Sequence, residues 1–303
     1  MMINLQAYNN WVSENLNKSI IESFNITYNN LNLELFVKRE DLIHQIVSGN
    51  KLRKLKYNVQ EAGLQDCKRL VTFGGAFSNH ILATAYLCSE FNIPLTVYVR
   101  GDELSHVSNK ILSYCYDQGV RLIFLPREEF KVKKMQSGVH FLDEEKCWFI
   151  PEGGANTFGI RGAAEIIQET SYFDEYVVAQ GTTTTSLGIY QQMHESSSLI
   201  VVPALNNFNS KKEMEALMPE INFTKELIVL QYKEMGRYAK YTPALVQFAE
   251  SINEQVHFKL DPLYTLRALY AYSKFVAIPE NKRNTNKKVL FVHTGGLNQE
   301  WWD

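Results

Sequence analysis

The chain has 303 residues, of which 45% are hydrophobic and 21% are charged, a balance that is ordinary for a globular protein of about two domains. Its 31 basic and 33 acidic residues leave a net charge of −2, which argues against a nucleic-acid-binding protein and gives no reason to expect membrane-surface binding. No apolar run approaches the ~20 residues that span a bilayer, and no secretory signal is visible. We therefore expect a cytoplasmic protein that works on neither nucleic acid nor membranes.

The cysteines and histidines are scattered along the sequence. The four cysteines form no C-x-x-C pair, so they are expected to be reduced thiols rather than a disulfide framework or a zinc cluster. None of the seven histidines belongs to a close ligand pair. The sequence therefore predicts no metal site.

Short β-rich runs alternate with longer helical patterns along most of the chain. Strands are predicted at 34–38, 69–73, 95–99, 121–125, 148–150, 175–180, 198–205, 227–232 and 288–293. Helices are predicted at about 51–64, 79–91, 105–118, 160–170, 185–194, 211–217, 242–254 and 264–276. Apolar strands without strict alternation are buried on both faces, and with helices between them they form covered parallel sheets. The pattern predicts an α/β protein whose ligand lies at the carboxyl ends of its strands.

Polar, glycine-containing segments follow four of these strands: GGAFSNH (74–80), PEGGANTFGIRG (151–162), GTTTT (181–185) and TGG (294–296). A glycine and four threonines between a strand and a helix suit a phosphate group, because backbone N–H groups are available there. The alternative is a threonine-rich turn with a cap. Ser78 and Asn79 have the same ambiguity, since either residue could simply cap the helix that follows.

The segment VSGNKLRKLKY (47–57) places Lys51 and Lys54 at the start of a helix. The helix dipole disfavours positive charge at that end, which helps a lysine that must act as a neutral amine. The alternative is a solvated basic face of an ordinary helix.

Together, these segments resemble the 1-aminocyclopropane-1-carboxylate (ACC) deaminase and D-cysteine desulfhydrase family of fold-type II pyridoxal-phosphate enzymes. The resemblance is carried, in chain order, by VKREDL (37–42), SGNKLRK (48–54), TFGGAFSNH (72–80), PEGGAN (151–156), GTTTTSLGI (181–189), LDPLYT (260–265) and VHTGG (292–296). It implies a tryptophan synthase β-like architecture of two three-layer α/β domains with mainly parallel sheets. The larger domain would contain 1–48 and 157–303 and the smaller 49–156, with pyridoxal phosphate between them, and the enzyme would be a homodimer.

The resemblance also implies roles for single residues around the reactive lysine. Lys51 would form the Schiff base with pyridoxal phosphate and shuttle the α-proton of the substrate, with Asn50 beside it in the cofactor site. Asn79 would hydrogen-bond the ring oxygen of the cofactor, and Ser78 would assist at the substrate.

A second set of residues would bind the rest of the cofactor and the substrate. The phosphate would be cradled by Gly181, Thr182, Thr183, Thr184 and Thr185. Tyr264 and, from a looser match, Tyr238 would be active-site tyrosines beside the substrate. Thr265 would lie near the pyridine nitrogen of the cofactor, and Thr294 near the substrate.

The implied activity is β-elimination from a small amino acid, most closely that of a D-cysteine desulfhydrase, which gives pyruvate, ammonia and sulfide. The first alternative is ACC deaminase, whose site typically has Glu and Leu where this chain has Thr265 and Thr294. The second alternative is a catalytically silent small-molecule binding protein of the same fold. Thr183, in place of a loop glycine, and Phe77, in place of Gln, keep this alternative open.

Overall fold

The computed structural model describes residues 3–135, 140–142, 145–237, 239–278 and 287–296. The described chain divides into two compact units, the first containing 3–18 and Ile43–Gly162 and the second Ser19–Leu42 and 163–296. Within these ranges, no helix combines the length and the apolar character that a membrane crossing requires. The domain boundaries inferred from the resemblance, at 48/49 and 156/157, stay a prediction.

The regular elements of the described residues alternate as an α/β protein requires. The helices are α1 (Leu5–Leu16), α2 (Asn50–Leu64), α3 (Asn79–Glu90), α4 (Lys110–Asp117), α5 (Arg127–Met135), α6 (Thr157–Gln168), α7 (Thr184–Gln192), α8 (Ser210–Leu217), α9 (Pro243–Asn253) and α10 (Thr265–Ala277). The strands are β1 (Ile21–Tyr28), β2 (Leu31–Arg39), β3 (Arg69–Gly75), β4 (Leu95–Arg100), β5 (Arg121–Leu125), β6 (Phe141–Leu142), β7 (Cys147–Ile150), β8 (Glu175–Gln180), β9 (Ser198–Pro203), β10 (Glu226–Val229) and β11 (Val289–His293).

In the first unit, the described strands form a sheet in the order β5-β4-β3-β7-β6, which is parallel except for β6. Alternate residues of β3 enter two different cores, because successive side chains point to opposite faces of a strand. Leu70 packs with residues of α1 to α4 on one face, whereas Val71 and Phe73 pack with Phe130 of α5 on the other. The sheet is therefore covered on both faces.

In the second unit, the described strands form a sheet in the order β1-β2-β11-β8-β9-β10, with only β1 antiparallel to its neighbour. All six residues of β8 are buried, as are all six of β9. Helices α9 and α10 contribute to the core on one face of the sheet. Because β8, β9 and β11 are parallel and adjacent in the sheet, the segments after them leave from the same edge.

The structure confirms the predicted α/β class and most predicted elements, and it corrects the bounds of several. The strands predicted at 198–205 and 227–232 end at Pro203 and Val229. The helix predicted at 105–118 begins only at Lys110, because the side chain of Asn109 caps it by accepting a hydrogen bond from the Leu112 N–H at 2.9 Å. Helices α1 and α5 and strands β1 and β6 were not predicted.

Candidate active site

Lys51 is the second residue of α2, in a conformation that the residue before the helix makes possible. Gly49 has a φ of +63°, a region that glycine adopts readily and other residues adopt rarely. The Nζ of Lys51 donates a hydrogen bond to Asn50 Oδ1 at 3.0 Å. Burial, together with the nearby charge of Lys51, lowers the pKa of Lys54 well below that of an exposed lysine. The start of α2 is thus a place where a second positive charge is disfavoured.

Three close contacts hold α2 within the first unit. A Cβ on Gly162 would lie 1.8 Å from the backbone oxygen of Arg53, and one on Gly154 would lie 3.0 Å from the Cβ of Lys54. Asn58 of α2 donates to Asn156 Oδ1 at 3.2 Å and accepts from Asn156 Nδ2 at 2.7 Å. The PEGGAN segment and the first turns of α6 therefore fix the helix that carries Lys51.

Ser78 and Asn79 begin α3, which follows β3 in the same unit. Ser78 is the N-cap, and its Oγ accepts a hydrogen bond from the Ile81 N–H at 3.3 Å. The amide oxygen of Asn79 is buried and has no hydrogen-bond partner in the described structure. Such an atom loses its hydration without compensation, which points to a missing ligand group. The side-chain amide of Asn79 thus has bonding capacity that a cofactor oxygen or ring substituent would use.

The GTTTT segment forms the start of α7 in the second unit. Thr183 is the N-cap, and its side chain makes no capping hydrogen bond to the helix; the N-terminus of α7 carries the partial positive charge that suits an anion. Thr183 has a φ of −75°, which any residue adopts, and its hydroxyl lies 3.5 Å from the carbonyl oxygen of Glu213. The threonine that replaces a loop glycine is therefore accommodated without backbone strain.

Gln180, the last residue of β8, supports this loop through hydrogen bonds of its side chain. Its Nε2 donates to Ser186 Oγ at 2.7 Å, and its Oε1 accepts from Ser210 Oγ at 2.5 Å. Ser186 in turn donates to the carbonyl of Thr183 at 2.8 Å. These buried hydrogen bonds fix the start of α7 relative to the strand.

The LDPLYT segment lies against the same loop. A Cβ on Gly181 would come within 3.0 Å of the Tyr264 ring, so glycine allows the tyrosine to approach the loop. Asp261 Oδ1 accepts from the N–H groups of Leu263 and Tyr264 at 2.9 and 2.6 Å. Thr265 is fully buried, and its Oγ1 accepts from the Asp261 N–H at 2.7 Å. A neutral hydroxyl thus stands at the first residue of α10.

The turn after β11 is tied to this segment. His293 Nε2 lies 2.7 Å from the Lys259 carbonyl oxygen, and its Nδ1 accepts the Gly295 N–H at 3.2 Å. The two contacts are satisfied together by a neutral imidazole protonated at Nε2, and burial lowers the pKa of His293, which favours that form. Thr294, half-buried, stands between these anchored residues.

Each unit therefore assembles its own group of the predicted site residues. The first unit brings together the Lys51 and Asn79 helix starts, and the second brings together the Gly181–Thr185 loop, Tyr264 and Thr265, with Thr294 leaving the same edge of the sheet. Tyr238 lies outside the described residues. Sequence reasoning assigned no role to Asn58, Asn156 or Trp148, although Asn156 belongs to the PEGGAN motif.

These donors fit pyridoxal phosphate on chemical grounds. The N-terminus of α7 offers N–H groups and threonine hydroxyls to a phosphate dianion, α2 offers a primary amine to an aldehyde, and Asn79 offers a buried amide with an unused acceptor. The amide of Asn79 carries an acceptor oxygen and a donor NH₂ group, and a half-turn of the amide exchanges the two, so this side chain can also present a donor.

Known proteins resemble the chain over nearly its whole length. The family model described as pyridoxal-phosphate dependent enzyme matches residues 17–295. A Thermotoga maritima protein, provisionally named a 1-aminocyclopropane-1-carboxylate deaminase, is 29% identical over 87% of this chain and 88% of its own. A mitochondrial Arabidopsis thaliana protein named bifunctional D-cysteine desulfhydrase/1-aminocyclopropane-1-carboxylate deaminase is 27% identical over 87% of this chain and 72% of its own. A solved structure of an ACC deaminase homologue superposes with a TM-score of 0.71 at 22% identity, covering 94% of this chain and 91% of that one.

Proposed function

The chain belongs to the family of pyridoxal-phosphate-dependent enzymes, and from this premise we propose that it is a β-eliminating lyase whose preferred substrate is D-cysteine. The products would be pyruvate, ammonia and sulfide. The named relatives carry both the desulfhydrase and the ACC deaminase activities in their names, so the choice between these activities depends on residues of this chain.

Lys51 is proposed to hold the cofactor covalently and, once an amine substrate has displaced it, to remove the α-proton as a general base. When bound, pyridoxal phosphate supplies an electron sink for the charge that develops at the α-carbon. The place of Lys51 supports this role, because it is the second residue of α2, directly after Gly49 and Asn50, and its Nζ is oriented by a hydrogen bond to Asn50 Oδ1. Asn79 would orient the cofactor ring through its side-chain amide.

The Gly181–Thr185 loop is proposed to bind the phosphate group through the first N–H groups of α7. Helix N-termini carry partial positive charge, and the threonine hydroxyls add further donors. Tyr264, which packs against Gly181, would stand beside both phosphate and substrate. We propose that Ser78, Thr294 and Tyr238 contact the substrate, and that Asn50 keeps Lys51 in place through the observed hydrogen bond.

The proposed preference for D-cysteine over ACC is based on Thr265. A carboxylate at this position would keep the pyridine nitrogen protonated and deepen the electron sink, whereas the hydroxyl of Thr265 carries no charge. A thiol on the β-carbon leaves as the α-proton is removed, so a shallower sink suffices. ACC has no such leaving group on its β-carbon, so the opening of its ring depends more on a strong electron sink. The neutral, buried Thr265 therefore supports elimination from D-cysteine.

The assignment of Lys51 is tested by chemical labelling. The purified protein should be yellow, and reduction with borohydride should fix the cofactor on the peptide that contains Lys51. Lys51→Ala should lose all turnover and all covalent label, while Lys56→Ala, a lysine on the same helix, should keep both. Label on Lys54 or Lys56 in the parent protein would show that the assignment is wrong.

Substrate choice is tested by comparing kcat/KM for D-cysteine and for ACC. The parent should prefer D-cysteine, and the Thr265→Glu, Thr294→Leu double variant should shift this ratio toward ACC by about tenfold or more, the scale of one charged hydrogen bond. A parent that turns over ACC faster than D-cysteine would support the deaminase instead. A colourless parent without turnover of either substrate would support the silent binding protein.

A further inference from the structure

Asn109, the residue before α4, is a buried asparagine to which the proposed function gives no role. It is 8% exposed, and the two halves of its side-chain amide bond to different parts of the first unit. Its Oδ1 accepts the Leu112 N–H at 2.9 Å, which caps α4, and its Nδ2 donates to the carbonyl oxygen of Ala76 at 3.2 Å. The amide cannot be reversed, because a donor faces the oxygen and an acceptor faces the nitrogen. The cap uses the oxygen, so the NH₂ group serves a second purpose.

The segment that Asn109 contacts is a tight turn between β3 and α3. The Ser78 N–H donates to the Gly75 carbonyl at 3.1 Å. Ala76 and Phe77 are therefore the two middle residues of this turn. Because a peptide unit is planar, a bond that fixes the direction of the Ala76 carbonyl also fixes that of the Phe77 N–H. The NH₂ group of Asn109 thus orients the peptide unit at the centre of the turn.

The turn has little burial of its own to keep it ordered. Its largest side chain, that of Phe77, is 57% exposed. The turn also follows Gly74 and ends its first peptide at Gly75, and glycine loses more backbone freedom on folding than any other residue. A hydrogen bond from a buried side chain to the Ala76 carbonyl is therefore expected to contribute directly to the order of the turn.

The same turn leads into residues to which the proposed function assigns the ligands, with Ser78 at the substrate and Asn79 at the cofactor. We propose that Asn109 is a positioning residue, whose hydrogen bond to the Ala76 carbonyl holds the Gly75–Ser78 turn in the conformation that binds the substrate. The proposal rests on the proposed function in taking Ser78 as a substrate contact. Asn109 acts through the turn, so it needs no contact of its own with the substrate.

Two substitutions separate the two halves of the amide. Asn109→Ser keeps an oxygen for the cap, since serine is about as good an N-cap as asparagine, but its shorter side chain has no NH₂ group for Ala76. Asn109→Asp keeps the cap and the size of the side chain, but it sets a carboxylate oxygen against the Ala76 carbonyl. Asn4→Ser and Asn4→Asp are the matched controls, because Asn4 is exposed and caps α1 in the same unit by accepting the Ala7 N–H at 3.1 Å.

The hydrogen bond is tested by amide hydrogen exchange in the ¹⁵N-labelled full chain after removal of pyridoxal phosphate. The Ser78 N–H reports on the turn, and the Leu112 N–H reports on the cap. In both Asn109 variants, exchange of the Ser78 N–H should be faster by about fivefold or more, the scale of one neutral hydrogen bond, whereas exchange of the Leu112 N–H should be faster by no more than about twofold. The Asn4 variants should change neither rate. Equal acceleration at Ser78 and Leu112, or none at Ser78, would overturn the proposal.

The consequence for the substrate is tested in the cofactor-loaded enzyme. Asn109→Ser should raise KM for D-cysteine about fivefold and leave kcat within about twofold, because a looser turn weakens the binding of substrate and transition state alike. Asn109→Asp should raise KM further, and both Asn4 variants should behave as the parent does. A fall in kcat at unchanged KM, or a KM that neither Asn109 variant changes, would show that Asn109 does not position the substrate turn.

The exchange measurement needs neither cofactor nor turnover, so it separates this inference from the proposed function. A borohydride label on a lysine other than Lys51 contradicts the proposed function. A labelled Lys51, together with a Ser78 N–H that exchanges equally fast in the parent and in Asn109→Ser, contradicts the role of Asn109 alone.

Discussion

Gly162 has no side chain, and this alone lets α6 touch the backbone of the helix that carries Lys51. A Cβ there would overlap the carbonyl oxygen of Arg53 at 1.8 Å, and a backbone carbonyl cannot rotate away. Gly162→Ala should therefore lower the free energy of unfolding by about 3 kcal/mol, at the upper end for overpacking, and should weaken cofactor retention. Denaturant unfolding and the cofactor absorbance would measure both effects.

Gly63→Ala is the matched control, since Gly63 lies in α2 itself. Its Cβ would meet the Leu5 side chain, with Cδ2 at 2.6 Å and Cγ at 2.9 Å, and a side chain can rotate away where a backbone carbonyl cannot. Alanine also gains up to about 1 kcal/mol of helix propensity over glycine. The Gly63→Ala protein should stay within about 1 kcal/mol of the parent, and equal destabilisation by both substitutions would contradict the contact argument.

The sequence predicts the position and contacts of some residues better than those of others. Lys51 was placed at a helix start by its pattern alone, and the structure puts it there. The sequence left open whether Ser78 caps α3, and the structure shows that it does. The proposed contact of Ser78 with the substrate stays a prediction. The buried His80 contacts Thr72 Oγ1 through Nε2, and Thr72 donates its one hydrogen to the Ile150 carbonyl, so Nδ1 of His80 carries no proton. The sequence could not predict this, because it depends on these contacts.

At the scale of elements, α2 is joined to β7 and α6 by a buried network of amides. Asn58 Oδ1 accepts from Trp148 Nε1 at 3.2 Å and from Asn156 Nδ2 at 2.7 Å, and Asn58 Nδ2 donates to the Lys54 carbonyl at 2.9 Å. Removing one partner leaves the others buried and unsatisfied. Asn58→Ala and Asn156→Ala should each cost about 2–3 kcal/mol of unfolding free energy, and the double variant about 1–2 kcal/mol less than their sum.

Gln60→Ala provides the comparison for this network, because Gln60 lies on α2 but bonds Asn9 at the surface. Gln60→Ala should lower the free energy of unfolding by less than about 0.5 kcal/mol. Full additivity of Asn58→Ala and Asn156→Ala in denaturant unfolding would show that the two amides act separately.

The elements that were predicted are those whose burial is visible as apolar runs. Strands β5 and β8 have the predicted bounds, and α2 and α3 differ from prediction by one residue. Strand β1 has one fully buried residue, Ile26, and α5 has only Phe130, so neither shows an apolar stripe. The buried residues of α1 recur about every four positions, so the sequence contains its helical pattern although the helix was not predicted.

At the scale of the whole molecule, the α/β class followed from the order of elements, whereas the interleaving of two units did not. The segment Ser19–Leu42 joins the second unit although residues on both sides of it join the first. A pairing of β2 with β11 places residues from opposite ends of the chain side by side, and no local pattern signals it. The homodimer inferred from the resemblance stays a prediction.

The stability of the whole chain should depend on pH through buried histidines such as His80, whose pKa burial lowers strongly. The pKa of His80 is about 3 in the folded protein, against about 6.5 in an unfolded chain. Between these values the unfolded state binds more protons, so stability is lost as the pH falls from about 6.5 towards about 3. From this residue alone, the loss between about pH 7 and about pH 5 is about 2 kcal/mol.

His80→Gln should remove that contribution, so its free energy of unfolding should fall by about 2 kcal/mol less than that of the parent over the same pH interval. The change with pH is the measured quantity, because the substitution also alters the stability at neutral pH. His194→Gln is the control for replacing a histidine at the surface, since His194 is exposed. Urea unfolding at several pH values measures all three proteins. Parallel curves for the parent and His80→Gln would mean that His80 titrates near its ordinary pKa and is not held neutral by burial.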